Sequence, residues 1–319
     1  MLSAYEQHLL ASYLFNAATS LHHQDTEALE LADWVANKAK RIARARNRRR
    51  FRRHRADEDR DGGMSAKKLR SLQETLQMAL AASGKPRGDR GARRLRRLGK
   101  TLGLTRTDLD ILELLLRYET HPLIESLVDD VFECGLSRPN ALNVDGLAMP
   151  MLLGVTATTI HRRLRNDAPL VRSGLVSIDE DGDPTVVGRL NRLFTTPGDA
   201  SVDVHRLLLD AAPPSTLEWS DFDHVAEGRD HIARLLEGAL RTSAAGVNII
   251  LYGPPGTGKT ALCRTLADQM DTTLYSVGES DDSGNEPTRS ERLQELRLAQ
   301  RLLAGNRGSL LLFDEMEDL

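Results

Sequence analysis

The chain has 319 residues, of which 40% are hydrophobic and 28% charged, so it fits two or three folded domains with ample material for a core. Its net charge of −3 hides a strong asymmetry: Lys38–Lys100 holds 23 of the 43 basic residues against 6 of the 46 acidic ones. The apolar stretches Leu147–Val155 and Ser309–Phe313 are too short for a bilayer span, and two cysteines, Cys134 and Cys263, exclude a disulfide framework and a thiolate zinc site.

Residues 1–21 carry Glu6 and His8 and no basic leader, which does not read as a signal peptide, so a reducing cytoplasmic location without membrane contact is expected. Tyr5, Leu9, Tyr13, Ala17 and Leu21, spaced by four, predict a helix over 3–21. Ala28, Leu31, Val35, Ala39 and Ile42 predict another over 26–46. Its apolar stripe gives way to the Arg44–Arg55 cluster, where Phe51 is the lone aromatic. Asp57–Gly63 reads as a linker. Leu69, Leu72, Leu76 and Leu80 mark a third helix, ahead of the loop Ala82–Gly91 and the basic run Arg93–Arg97.

Thr107-x-x-Asp110 resembles a capping box before the Leu109–Leu116 run, and Ile124, Leu127, Val128 and Val131 line a further helix. Met151–Arg165 reads as a short helix, a turn at Gly154, an N-cap at Thr156 and a second helix. Leu175–Ile178, the turn Asp181–Pro184 and Val186-Val187 predict a hairpin, so the stretch has a winged-helix outline. Residues 196–216, with Pro197-Gly198 and Pro213-Pro214, read as a linker. Beyond Trp219 strands and helices alternate: a helix at Arg229–Leu240, a buried strand at Val247–Tyr252, a helix at Lys259–Met270 and a strand at Thr273–Val277. A helix capped by Thr288-x-x-Glu291 follows, with Leu293, Leu296 and Leu303 facing in, and then a strand at Ser309–Phe313.

The expected organisation is mixed. An all-α, Arg-rich region spans 1–100, and a helical, winged-helix-like α+β domain spans 101–195. A linker covers 196–216, and an incomplete α/β P-loop NTPase core covers 217–319.

Gly253-Pro254-Pro255-Gly256-Thr257-Gly258-Lys259-Thr260 matches the P-loop pattern, flanked by a strand and a helix. The glycines let the backbone wrap phosphates, and the helix N-terminus adds partial positive charge. Lys259 is placed to reach the β- and γ-phosphates, and the Thr260 hydroxyl to coordinate Mg²⁺. Asp314, 55 residues after Lys259, ends an apolar strand as a Mg²⁺-holding carboxylate, and Glu315 beside it is suited to polarise the attacking water.

These motifs, with the lead-in Trp219-Ser220-Asp221-Phe222-Asp223-His224-Val225, resemble the AAA+ ATPases over residues 217–319, about a third of the chain. The layout is similar to bacterial AAA ATPases that carry a helical and winged-helix-like region ahead of the core. Superfamily-one helicases share the P-loop string, but their acidic motif lies much further downstream.

The resemblance implies ATP and Mg²⁺ as ligands and backbone near Val225-Ala226 beside adenine. It also implies turnover coupled to remodelling of a protein or nucleic-acid target, in a ring, a hexamer, whose neighbouring subunit supplies an arginine finger. The family's strand order is five-one-four-three-two. The chain ends at Leu319, ahead of the fourth and fifth strands, the sensor Asn, the arginine finger and the lid. It is therefore expected to be a fragment that binds nucleotide, with hydrolysis belonging to the longer protein. The acidic loop Gly278–Thr288 has no aromatic residue, unlike the pore loop of peptide-threading members.

Two rival functions follow from other residues. Arg44–Arg55 and the candidate recognition helix, with Thr158, Thr159, His161, Arg162, Arg163 and Arg165, could grip nucleic acid. Against this, Asp179, Glu180, Asp181 and Asp183 on the hairpin repel phosphates, and such folds also dock proteins. The other rival is a nucleotide-binding adaptor that hydrolyses nothing.

Overall fold

Caps and glycine turns set the bounds of most helices in the computed structural model, which describes residues 3–20, 66–84, 86–132, 142–244, 246–277, 287–305 and 308–314. The expected helix at 26–46, the Arg44–Arg55 cluster, the linker at 57–63 and Cys134 lie outside the described residues. The chain divides into two compact units, residues 1–171 with 176–186, and residues 172–175 with 187–319. Among the described residues no helix is long and apolar enough to cross a membrane.

The first unit is built from α1 (Ala4–Ser20), α2 (Ala66–Ser83), α3 (Arg90–Leu102), α4 (Arg106–Thr120) and α5 (Pro122–Phe132), followed by α6 (Ala148–Leu153), α7 (Ala157–Arg163) and the turn α8 (Pro169–Arg172), whose last residue opens the second unit. Leu10, Leu14, Ala17 and Ala18 turn the α1 face onto α2 and α6, where the Asn16 amide donates to the Leu152 carbonyl (2.9 Å). Asp89 caps α3, and the left-handed Gly103 ends it. The capping box of α4 is Thr105 with Asp108, not Thr107 with Asp110. The pattern occurs twice in overlap, and Gly103 ends α3 just upstream, so the earlier copy takes the cap. Asp110 instead pairs with Arg106 at 2.8 Å.

Gly154, at φ +65°, closes α6, and the Thr156 hydroxyl accepts from Thr159 N–H to start α7, as the spacing predicts. The hairpin follows as antiparallel β1 (Val176–Ile178) and β2 (Pro184–Val186), in register Val176↔Val186 and Ile178↔Pro184. Its acidic turn serves itself: Asp179 accepts from the N–H groups of Asp181 and Asp183, and Asn143 donates to Asp183 at 2.7 Å. A buried cation ties the unit together, since Arg117 meets Glu113 (3.1 Å) and Asp89 (2.5 Å), while the Tyr5 hydroxyl donates to Glu113.

In the second unit a 3₁₀ turn (Gly188–Asn191), α9 (Arg192–Thr195) and α10 (Val204–Leu208) lead to β3 (Asp210–Ala211). The segment 196–216, expected as a linker, thus carries a helix and a strand. Val204, Leu207, Leu208 and Leu209 are buried, and this apolar run outweighs the flanking Pro and Gly signals. A 3₁₀ turn (Trp219–Val225), α11 (Ala226–Thr242), α12 (Lys259–Gln269), β4 (Thr273–Val277), α13 (Arg289–Leu303) and β5 (Ser309–Phe313) complete the unit. The sheet order is β3-β4-β5, with β3 antiparallel and β5 parallel to β4.

Val247–Tyr252 does not form the expected buried strand. It has no ladder partner among the described residues; Leu251 packs inward, but Ile250 is 73% and Tyr252 93% exposed. The inward face of α13 also differs from expectation. Arg292, Gln294, Glu295, Leu298, Ala299 and Leu302 are buried, while Leu293, Leu296 and Leu303 are only half-buried. Glu295 is satisfied by Arg189 (2.8 Å), which also meets Asp210, and Asp210 in turn pairs with Arg192 (2.8 Å).

Replacing Arg117 with Met leaves Glu113 and Asp89 without their cation, so denaturant unfolding is expected to show a loss of about 3–5 kcal/mol. Burial raises the Asp210 carboxyl, but the bonds from Arg192 and the charge of Arg189 outweigh it and hold the group below the usual carboxylate range. The stability it contributes is present above the unfolded value, about pH 4, and is lost as pH falls through the lower folded value. Melting curves across that acid range should therefore fall more steeply for the native chain than for Asp210→Asn.

Candidate functional site

The phosphate-binding motif occupies the turn into α12. Gly253, Gly256 and Gly258 all have positive φ, at +151°, +75° and +83°. At Gly258 the left-handed conformation would strain any other residue, and an added Cβ would also rest 3.6 Å from the Phe222 ring. No side chain caps α12, as none caps α6, α9 or α11, whereas α3, α4, α7, α10 and α13 each begin with a capping side chain. The first-turn N–H groups of a helix have no intrahelical acceptor, so this end is open to an anion. Gly253, Pro254, Pro255, Gly256 and Thr257 are exposed, and Gly258, Lys259 and Thr260 half-buried.

The Lys259 ammonium folds back onto the loop, donating to the carbonyls of Gly253 (2.9 Å) and Pro254 (3.1 Å). Thr257 also bonds the Pro254 carbonyl, at 2.9 Å. Thr260, in the first turn of α12, donates its hydroxyl to the Asp314 carboxylate. Two residues 54 apart in sequence thus bring a hydroxyl and a carboxylate together at one point. Both are hard oxygen donors of the kind a Mg²⁺ ion takes, so this pair fits such an ion. Glu315 lies outside the described residues, as does 278–286 of the acidic loop.

The floor of the site is apolar. Phe222, Ala233, Leu262 and Leu266 form a buried cluster on which Trp219, Ile232, Leu236, Leu251 and Met270 pack. Ser215 stitches the lead-in to α12, its N–H to Asp268 (2.7 Å) and its hydroxyl to Thr265 (2.7 Å). Cys263, on α12, is half-buried; its thiol is pushed up to about 11, first by burial and then by the nearby Asp314 charge.

Two arginines matter here that periodicity passes over. Arg229 stacks on the Trp219 ring (4.4 Å) and donates to the Trp219 carbonyl (2.7 Å) and to Asp223 (2.8 Å), pinning the lead-in to α11. Arg292, on α13, donates to the Asp314 carbonyl and lies over the Phe313 ring at 5.2 Å. The signal for Arg292 was its place on one helical stripe with Glu295, Ala299 and Leu302.

Comparison with known proteins agrees with this geometry. Residues 249–319 match the family described as "ATPase family associated with various cellular activities (AAA)". The human "ATPase family gene 2 protein homolog B" is 29% identical over 162 residues, 46% of this chain and 22% of that protein. The "ATP-dependent zinc metalloprotease FtsH 1" of Conexibacter woesei is 34% identical over 80 residues, covering 24% and 12%. The "Replication factor C large subunit" of Sulfurisphaera tokodaii is 29% identical over 112 residues, covering 33% and 23%. The matched stretches thus span less than a quarter of these relatives' lengths. No solved structure matches the chain.

The raised thiol gives a direct check on the neighbourhood of Asp314. In a Cys134→Ser background, Cys263 is expected to react with a disulfide reagent at pH 8 slower than free cysteine by on the order of a hundredfold. Adding Asp314→Asn should speed that reaction, by removing the charge that opposes the thiolate.

Proposed function

We propose that the chain is an AAA-family ATPase, the family that its residues 249–319 match, and that it binds ATP at Gly253–Thr260. The observation that carries this reading is the open N-terminus of α12, with a lysine and a hydroxyl–carboxylate pair at the same helix end. Lys259 would exchange its two loop carbonyls for β- and γ-phosphate oxygens. By likeness to the family, the backbone around Val225-Ala226 would lie beside the adenine, and Phe222 in the same lead-in abuts Gly258 of the loop.

Thr260 and Asp314 would hold Mg²⁺, whose charge offsets that of the phosphates when bound. Glu315, the next residue, would accept a proton from the attacking water. By likeness to the family, the functional form is a ring of subunits, a hexamer, that couples ATP turnover to remodelling a protein target. The α6–turn–α7–β1–β2 region would serve as a winged-helix-like module that selects the target. The relatives' printed names describe a zinc metalloprotease and a replication factor, so likeness to them supports no single target for this chain.

One observation favours a nucleic-acid target as a second reading. Helix α3 exposes Arg93, Arg96, Arg97 and Lys100 on one face, and α7 exposes His161 and Arg162. Polyanion binding through such residues falls steeply with salt, and protein docking through apolar contacts does not.

Lys259→Ala should weaken binding of a fluorescent ATP analogue at least about tenfold, because it removes a phosphate-directed charge. Glu315→Gln should leave that binding intact and lower any ATP turnover about 10²–10⁴-fold. Analogue binding by Lys259→Ala as tight as that of the native chain would refute the assignment of the site.

A further inference from the structure

Strand β5 closes on Phe313, paired with Val277 of β4, and Asp314 follows it directly. Its carboxylate accepts from the Thr260 hydroxyl, and its backbone carbonyl carries a second contact. Arg292 reaches that backbone from α13. It is 3% exposed, its guanidinium faces the Phe313 ring at 5.2 Å, and it donates to the Asp314 carbonyl. A planar, many-donor cation can stack and donate at once, which a lysine ammonium cannot reproduce. The carbonyl it grips also belongs to the peptide unit that joins Asp314 to Glu315.

We propose that Arg292 is the positioning residue of the acidic half of the site, clamping the Phe313–Asp314 backbone so that the Asp314 carboxylate meets Thr260. The inference rests on reading Thr260 and Asp314 as a Mg²⁺-holding pair. Arg292 touches neither nucleotide nor ion in this role; it acts through Asp314. Its contribution has a sign that charge alone would not give. Removing a cation near a metal site favours a second cation by electrostatics, whereas loosening Asp314 weakens the site.

The test is Mg²⁺ titration of the full chain loaded with the fluorescent ATP analogue mant-ATP, with parallel binding in EDTA. For Arg292→Met, half-saturating Mg²⁺ should rise about 10–100-fold, the effect of losing an outer-shell partner, while affinity in EDTA stays unchanged. Arg292→Lys should restore part of the loss. An unchanged Mg²⁺ half-point, a lowered one, or an equal loss with and without Mg²⁺ would overturn the proposal.

Should Arg292→Met lose its cooperative thermal melt, Phe313→Leu carries the test. It removes the ring under the guanidinium and should raise the Mg²⁺ half-point in the same direction, and an undiminished Mg²⁺ response in that variant overturns the clamp. If the native chain binds no mant-ATP at all, the nucleotide reading fails and the clamp falls with it. A native chain that responds to Mg²⁺, beside variants that respond equally, sinks the clamp alone.

Discussion

The second unit depends on one buried ion pair. Glu295 lies on the inner face of α13 at 7% exposure, and Arg189 meets it at 5% exposure. A buried carboxylate without a partner is costly, so the fold must deliver Arg189 to this point. Delivering it sets the course of the chain. The 3₁₀ turn at Gly188–Asn191 lies beside α13, and Arg189 also reaches Asp210. Asp210 begins β3, which borders β4 through the pair Asp210↔Ser276. Gly174 follows the same constraint. A Cβ there would lie 2.3 Å from the Gln294 carbonyl, so only glycine permits that approach to α13.

The same stripe of that helix also reaches the candidate site, one turn earlier at Arg292. Arg292 and Glu295 sit three residues apart on one stripe, one gripping the Asp314 backbone and the other anchored by Arg189. A displacement of α13 along its axis would strain both contacts together. Through these two contacts α13 joins the segment around Arg189 to the end of β5. Here the packing of the unit and the geometry of the candidate site draw on the same helix face.

At α12 the two demands pull apart. Thr105 and Thr288 close their helix ends with reciprocal capping boxes. Gly258 offers no such closure, and the loop before it is exposed. A capping side chain would stabilise the helix by about 1 kcal/mol. It would also fill the space in which an anion could reach the N–H groups. This end stays open above a packed floor of Phe222, Leu262 and Leu266, which is the arrangement the proposed anion site requires.

What the sequence made legible follows from what each signal measures. The strands Thr273–Val277 and Ser309–Phe313 and the Thr288 cap coincide with expectation, because short apolar runs and caps are local properties. The motif at Gly253–Thr260 was legible for the same reason. The inward face of α13 was not, because periodicity ranks leucine above arginine and glutamate, while burial here is decided by partners more than 20 residues away. The strand at Val247–Tyr252 failed for a related reason. An apolar run has strand propensity, but a strand exists only through its ladder, and hydropathy carries no information about the neighbour. The meeting of Thr260 and Asp314 lies between these cases. Each residue type was legible alone, and their contact follows once α12 begins at Lys259 and β5, held parallel to β4, ends at Phe313. Local chemistry thus nominates the site residues, while their meeting is a property of contacts made across long stretches of chain.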